Sequence, residues 1–194
     1  MKSYTIHLIR HGICEGNLEG RYVGRTQSPL AREGMQALLE LKRTGVYPEA
    51  VKYYASPCVR CVDTLKVLYP TADPEVILEL AECDFGDWEN KKAEELQNDP
   101  RFTAWMNGGQ HEAPPNGESS IVFMQRVCAG FEMLVRNMMT AGAANGRRGA
   151  PRGRPPAPAP RPPPVFFPGR LPPPFFEASP RRKRTIHISR PHQR

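Results

Sequence analysis

Tyr4-Thr5-Ile6-His7-Leu8-Ile9-Arg10-His11-Gly12 is the stretch that decides how this chain is read. A run rich in β-branched and apolar residues leads straight into Arg-His-Gly, with Asn17 a little further on. The run predicts a buried strand whose C-terminal end hands the chain to a tight loop. In open α/β sheets that end is where ligands bind. Arg10 offers a planar fork of donors suited to a phosphate, and His11 a nitrogen nucleophile. Gly12 lets the backbone approach an anion closely. By itself the stretch also fits a surface His beside a solvated Arg, so the remaining motifs must decide.

Downstream, Leu18 to Leu30 is polar and punctuated by glycine, with Arg21, Gly24 and Arg25 in it, long enough to wall one side of a site. A helix is expected from Ser28 or Pro29 through Leu41, ended by Gly45. Val51–Ala55 reads as a short strand, and Ser56-Pro57 opens a second helix with Val59, Val62, Leu65 and Leu68 on its apolar side. Arg60 falls in the first turn of that helix, where unpaired backbone donors already favour anions. Val76–Leu80 is a third strand candidate, followed by Ala81-Glu82-Cys83-Asp84-Phe85-Gly86-Asp87-Trp88-Glu89. Two readings of that crowd of carboxylates are open. One carboxyl is kept protonated beside apolar surface as a general acid, or the segment is a solvated acidic loop whose aromatics cover the core. Short helices are expected over 93–98 and 101–106, and one long helix from Glu118 to about Thr140.

Composition splits the chain. Residues 1–146 carry 15 Lys+Arg against 19 Asp+Glu, whereas residues 147–194 carry 12 against 1. Fourteen of the 22 prolines also lie in the last segment. Such a stretch continues neither a helix nor a central strand, so the reading is an acidic domain, 1–146, and a Pro/Arg-rich disordered tail, 147–194. Tail-mediated nucleic-acid binding would then be nonspecific, through Arg181-Arg182-Lys183-Arg184. The start, Met1-Lys2-Ser3-Tyr4, does not read as an export signal or membrane span, and five cysteines read as reduced thiols in a cytoplasmic protein. Cys58 and Cys61 form a C-x-x-C pair without a second pair, and no metal or redox role is assigned to them.

Taken in order, these motifs resemble the histidine phosphatase superfamily. The resemblance covers about residues 4–141 and rests on Arg10-His11-Gly12 with Asn17, Arg21-Tyr-Val-Gly24, and Ser56-Pro-Cys-Val-Arg60-Cys-Val-Asp63-Thr64. Glu82-Cys-Asp-Phe-Gly-Asp-Trp-Glu89 and Pro114-Pro-Asn-Gly117-Glu118-Ser119 complete it. It implies an α/β chain with the three-layer α/β/α phosphoglycerate mutase-like fold, incomplete at the C-terminus. It also implies a metal-independent phosphomonoesterase, using no cofactor, acting on a small phosphorylated metabolite. His11 would become phosphorylated, Arg10 and Arg60 would clamp the phosphoryl oxygens with Asn17 helping, and Glu82 would serve as acid and base. Arg21 and Gly24 would join the substrate site.

One element of the pattern is absent. The superfamily places a second His, in a strand ending His-Gly-Gly, across the phosphate from the first, and it would fall near residue 150. No His occurs between His111 and His187. Read one base forward from Gly146, suitable codons would spell His-Gly-Gly across Pro151 to Arg154, so a shifted reading frame is expected. The alternative to an impaired phosphatase is an inactive remnant.

Overall fold

The computed structural model describes residues 3–108, 111–144 and 183–189. Strand β1 (Ser3–Ile9) leads into the Arg10-His11-Gly12 turn and a single helical turn, α1 (Glu15–Leu18). Helix α2 (Arg32–Arg43) follows, then strand β2 (Tyr54–Ala55) and helix α3 (Val59–Leu68). Strand β3 (Glu75–Val76) passes into a 3₁₀ turn over Leu78–Leu80, so only the first part of the expected third strand is extended. Helices α4 (Ala93–Leu96), α5 (Pro100–Met106) and α6 (Ser120–Ala144) complete the domain, and strand β4 (Lys183–Ser189) comes last. None of the described helices is long and apolar enough to cross a membrane.

Local chemistry accounts for several boundaries. Asp99 caps α5 by accepting from the Arg101 N–H, and Pro100 occupies the first turn, where a missing N–H costs nothing. Gly45 follows α2 with φ +72°, a left-handed conformation that stops a helix.

Among the described residues the strands form two ladders. β2 pairs with β3 in parallel, and β1 pairs with β4 antiparallel, with Ile6 opposite Ile186. Two expectations need correcting here. Lys183–Ser189 fell inside the tail read as disordered, yet it is a strand. Thr185-Ile186-His187-Ile188 is a local β-forming run with alternating character, masked by the basic and proline-rich composition around it. The rest of 147–194, and with it the boundary at 146, lies outside the described residues. β1 was also read as buried. Its Thr5 and Leu8 are exposed, Leu8 by 40%, and none of its described side chains is fully enclosed. Its one ladder among the described residues is to β4.

Two clusters hold the domain. Leu30, Leu38, Leu68 and Tyr69 join α2 to α3, with Ile9 packed against them at the end of β1. Trp88, Leu96 and Phe102 form the second, extended by edge-on contacts among Tyr22, Phe85, Phe102 and Trp105. The second cluster fastens the loop containing Tyr22 to the acidic segment. Trp88, only 2% exposed, is its centre. Trp88→Ala is therefore expected to lower unfolding free energy by about 3–5 kcal/mol, measured by urea denaturation of both chains.

Candidate active site

The turn after β1 is built around its own backbone. The Gly12 N–H donates to Thr64 Oγ1 at 2.9 Å, and the Thr64 hydroxyl donates to the Arg60 carbonyl at 2.7 Å. This joins the His11 loop to the first turns of α3. His11 Nδ1 lies 2.6 Å from the Gly12 carbonyl oxygen. A carbonyl can only accept, so Nδ1 carries the proton and the lone pair sits on Nε2. A Cβ on Gly12 would press on Leu38 Cδ1 at 2.7 Å, so core packing as well as anion access selects glycine there. Burial lowers the pKa of His11 from its ordinary value. The hydrogen bond to the Gly12 carbonyl opposes this, while the charges of Arg60 and Arg10 reinforce it. The ring is thus neutral and nucleophilic at neutral pH.

Arg60 is 1% exposed. Its Nη2 donates to the Gly24 carbonyl at 2.8 Å and the Val23 carbonyl at 3.3 Å, and its Nη1 to the Thr26 carbonyl at 3.2 Å. These three contacts leave two of the guanidinium's five N–H donors for other partners. Arg60 therefore braces the neighbouring loop while its charge acts on His11. Arg10 stands exposed at the C-terminal end of β1, and its charge likewise acts on His11.

The residues facing Arg60 across the loop were not singled out from the sequence. Glu89 accepts from the N–H groups of Gly24, Arg25, Thr26 and Phe85 at 2.8–3.1 Å, and from the Thr26 hydroxyl at 2.5 Å. Burial works against its charge, yet these hydrogen bonds prevail and hold its pKa below the ordinary carboxylate value. The sequence flagged this run of carboxylates, but it contained no signal that Glu89's partners are backbone groups some sixty residues upstream.

Two expected substrate residues have other partners. Gly24 gives its N–H to Glu89, and its carbonyl accepts from Arg60 and the Cys58 thiol. A Cβ there would collide with the Cys83 carbonyl. Close backbone packing explains this glycine. Arg21 donates through Nε to Glu19 at 2.5 Å and through Nη1 to the Asn90 carbonyl at 2.7 Å, with Glu95 at 3.8 Å. It ties the loop to the turn after Trp88, beside an antiparallel bridge to Lys92. Asn17 Oδ1 accepts from the Cys14 N–H and thiol, closing the turn into α1.

Glu82 reaches the same patch through its backbone. The Cys58 thiol is held below the ordinary thiol range by hydrogen bonding with Cys61, then, against burial, by the Glu82 backbone and Ser56. Cys58 in turn acts electrostatically on His11. All five cysteines are free thiols. The Glu82 carboxylate accepts from the Cys83 N–H at 3.0 Å. The backbone of His187 pairs with Thr5, four residues before the end of β1, or about 13 Å at ~3.3 Å per residue.

Two outcomes follow from this geometry. Because the folded pKa of His11 is depressed below 6.5, its ring is uncharged through neutral pH, with Nε2 free of a proton. The acid limb of any His11-dependent phosphoryl transfer should lie below pH 6.5, and the stability linked to His11 should be fully present above pH 6.5 and be lost as pH falls from there through the folded pKa. A pH profile of phosphohistidine formation, alongside urea midpoints at each pH, checks both signs. Glu89→Gln presents one acceptor oxygen to donors that now share two. It should cost about 1–3 kcal/mol by leaving partly buried N–H groups unpaired, measured by denaturation.

Residues 6–142 match the histidine phosphatase superfamily (branch 1). Among curated proteins, the adenosylcobalamin/alpha-ribazole phosphatase of Escherichia coli (strain K12) is 33% identical over 126 residues, covering 62% of this chain and 61% of that protein. The probable phosphoglycerate mutase GpmB of Enterobacter sp. (strain 638) is 27% identical over 130 residues, covering 64% and 60%. The chain thus spans less than two thirds of the length of these relatives. Among solved structures, the alpha-ribazole phosphatase from Shigella flexneri superposes with a TM-score of 0.64 at 30% identity, covering 70% of this chain and 69% of that one. A phosphoglycerate mutase from Thermus thermophilus superposes with a TM-score of 0.55 at 34% identity, covering 66% and 71%. The match falls on the residues that build the His11 loop, the Arg60 turn and the acidic segment, and the chain belongs to the histidine phosphatase superfamily, with a phosphoglycerate mutase-like fold.

Proposed function

We propose that this chain is a metal-independent phosphomonoesterase working through a phosphohistidine on a small phosphorylated metabolite. The observation that carries this reading is the His11 ring. Its Nδ1 proton is committed to the Gly12 carbonyl, its pKa is lowered, and the charges of Arg10 and Arg60 act on it. A neutral imidazole with Nε2 unprotonated beside two arginines suits attack on the phosphorus of a dianionic ester. In the first step the Nε2–P bond forms as the P–O bond to the leaving group breaks, and the Glu82 carboxyl gives its proton to that oxygen. In the second, the Glu82 carboxylate takes a proton from water. The oxygen of that water bonds to phosphorus, and His11 is released with inorganic phosphate. Arg10, the remaining donors of Arg60 and the amide nitrogen of Asn17 would carry the charge on the phosphoryl oxygens. The relatives named for alpha-ribazole make a phosphorylated ribosyl compound the first substrate to test, with 3-phosphoglycerate as the comparison.

Turnover would be impaired. No His lies between His111 and His187, so a side chain that would help stabilise the transferring group is missing. One such donor is typically worth ~10²–10³ in rate. The same observation favours the second reading, an inactive remnant. Acid-quenched reaction with a radiolabelled phosphomonoester distinguishes them. Label on His11, lost in His11→Ala, supports the phosphatase. Label on Ser or Asp contradicts the mechanism, and a chain that takes no label is the remnant.

A further inference from the structure

We propose that Arg126, acting together with Glu118, is the positioning residue that sets the Glu82 carboxyl for proton transfer. Arg126 lies in the second turn of α6, and its guanidinium reaches across to the segment that carries Glu82. Nη1 donates to the carbonyls of Glu79 at 2.9 Å and Ala81 at 3.0 Å, and Nη2 donates to the carbonyl of Glu82 itself at 3.2 Å. These carbonyls lie in and just after a 3₁₀ turn only three residues long, which cannot satisfy them internally. The other side of the fork meets Glu118. Nε donates to Oε2 at 3.1 Å and Nη2 to Oε1.

Glu118 completes the clamp. Its Oε1 accepts from the Asp84 N–H at 2.9 Å. The ion pair therefore holds the carbonyl of the same peptide whose N–H, that of Cys83, binds the Glu82 carboxylate, and also the N–H of the next peptide, at Asp84. Burial works against ionised Glu118, but Arg126 and the Asp84 N–H hold its pKa below the ordinary value. The helix also lies directly against this segment, since a Cβ on Gly130 would meet Glu79 Cβ at 2.5 Å. An ordinary exposed ion pair would contribute little and would fix nothing. Here the Arg and Glu side chains are 20% and 10% exposed, and together they bond to four backbone groups of residues 79–84. Only a guanidinium has donors enough, in one plane, to bridge two or more carbonyls and a carboxylate together.

The inference rests on Glu82 being the proton donor, so the test separates the two ideas. Full-length wild type, Arg126→Gln, Arg126→Lys and Glu82→Gln are compared in single-turnover phosphohistidine formation. The two phosphate donors are p-nitrophenyl phosphate, whose leaving group needs little protonation, and an alkyl phosphate, whose leaving group needs it. Inhibition by inorganic phosphate reports on the His11–Arg60 side. Arg126→Gln is expected to slow transfer from the alkyl ester by ~10²-fold and from the aryl ester by less than about threefold, with phosphate inhibition unchanged. Arg126→Lys should show the same selectivity in weaker form, and it decides the matter alone if Arg126→Gln does not fold. Equal losses on both esters in the Arg126 variants, with Glu82→Gln still selective for the alkyl ester, overturn the role of Arg126 and leave Glu82 in place. Equal losses in Glu82→Gln, or no phosphohistidine in wild type, overturn both.

Discussion

Arg60 and Glu89 take hold of the same short loop from its two kinds of backbone group. Arg60 donates to the carbonyls of Val23, Gly24 and Thr26, while Glu89 accepts from the N–H groups of Gly24, Arg25 and Thr26. These partners are side chains and not the backbone groups of a helix or ladder, and a partly buried loop whose polar groups were left unpaired would be destabilised. A guanidinium that is 1% exposed is itself costly unless its donors are bonded, so the loop and the arginine stabilise each other. The constraint fixes the position of Arg60, and through Thr64 and Gly12 it extends to the nucleophile loop.

The same device recurs on the acidic side. Arg126 collects the carbonyls of the 79–82 segment and Glu118 receives the Asp84 N–H, again with irregular backbone held by charged side chains from distant helices and loops. Charge-assisted hydrogen bonds are stronger than neutral ones, and in a partly buried setting they hold geometry without regular secondary structure. Side chains on loops thereby keep the precision of side chains on elements. Aromatic packing adds a third tie. Tyr22 and Phe85 stack edge-on, bringing the Arg60-braced loop and the acidic segment together over Trp88, Phe102 and Trp105.

The ladder beside β1 comes from late in the chain. A strand does pair with β1, but it runs antiparallel and its backbone places His187 opposite Thr5. A run such as Thr185-Ile186-His187-Ile188 satisfies backbone groups of β1 whatever its own origin, because ladder bonds do not read side-chain chemistry.

Much of the site was legible along the chain. The apolar run before Arg10-His11-Gly12 marked a strand ending at a reactive turn, Pro57 before Arg60 marked a helix start, and the regular apolar spacing over Val122, Val127, Phe131 and Leu134 marked α6. Those signals are local, since periodicity, turn residues and caps act within a few positions of the chain. Tertiary structure alone decided which carboxylate does what. Glu82, Glu89 and Glu118 are the same residue type in similar polar surroundings. Glu89 is a backbone anchor because Gly24, Arg25 and Thr26 fold against it, and Glu118 is one because α6 brings Arg126 alongside. The partners of Arg21 and Gly24, and the strand at Lys183–Ser189, left no local signal for the same reason. Each is defined by a partner dozens of residues away, and a hydrogen-bond partner that only folding brings within 3 Å leaves no mark on neighbouring sequence.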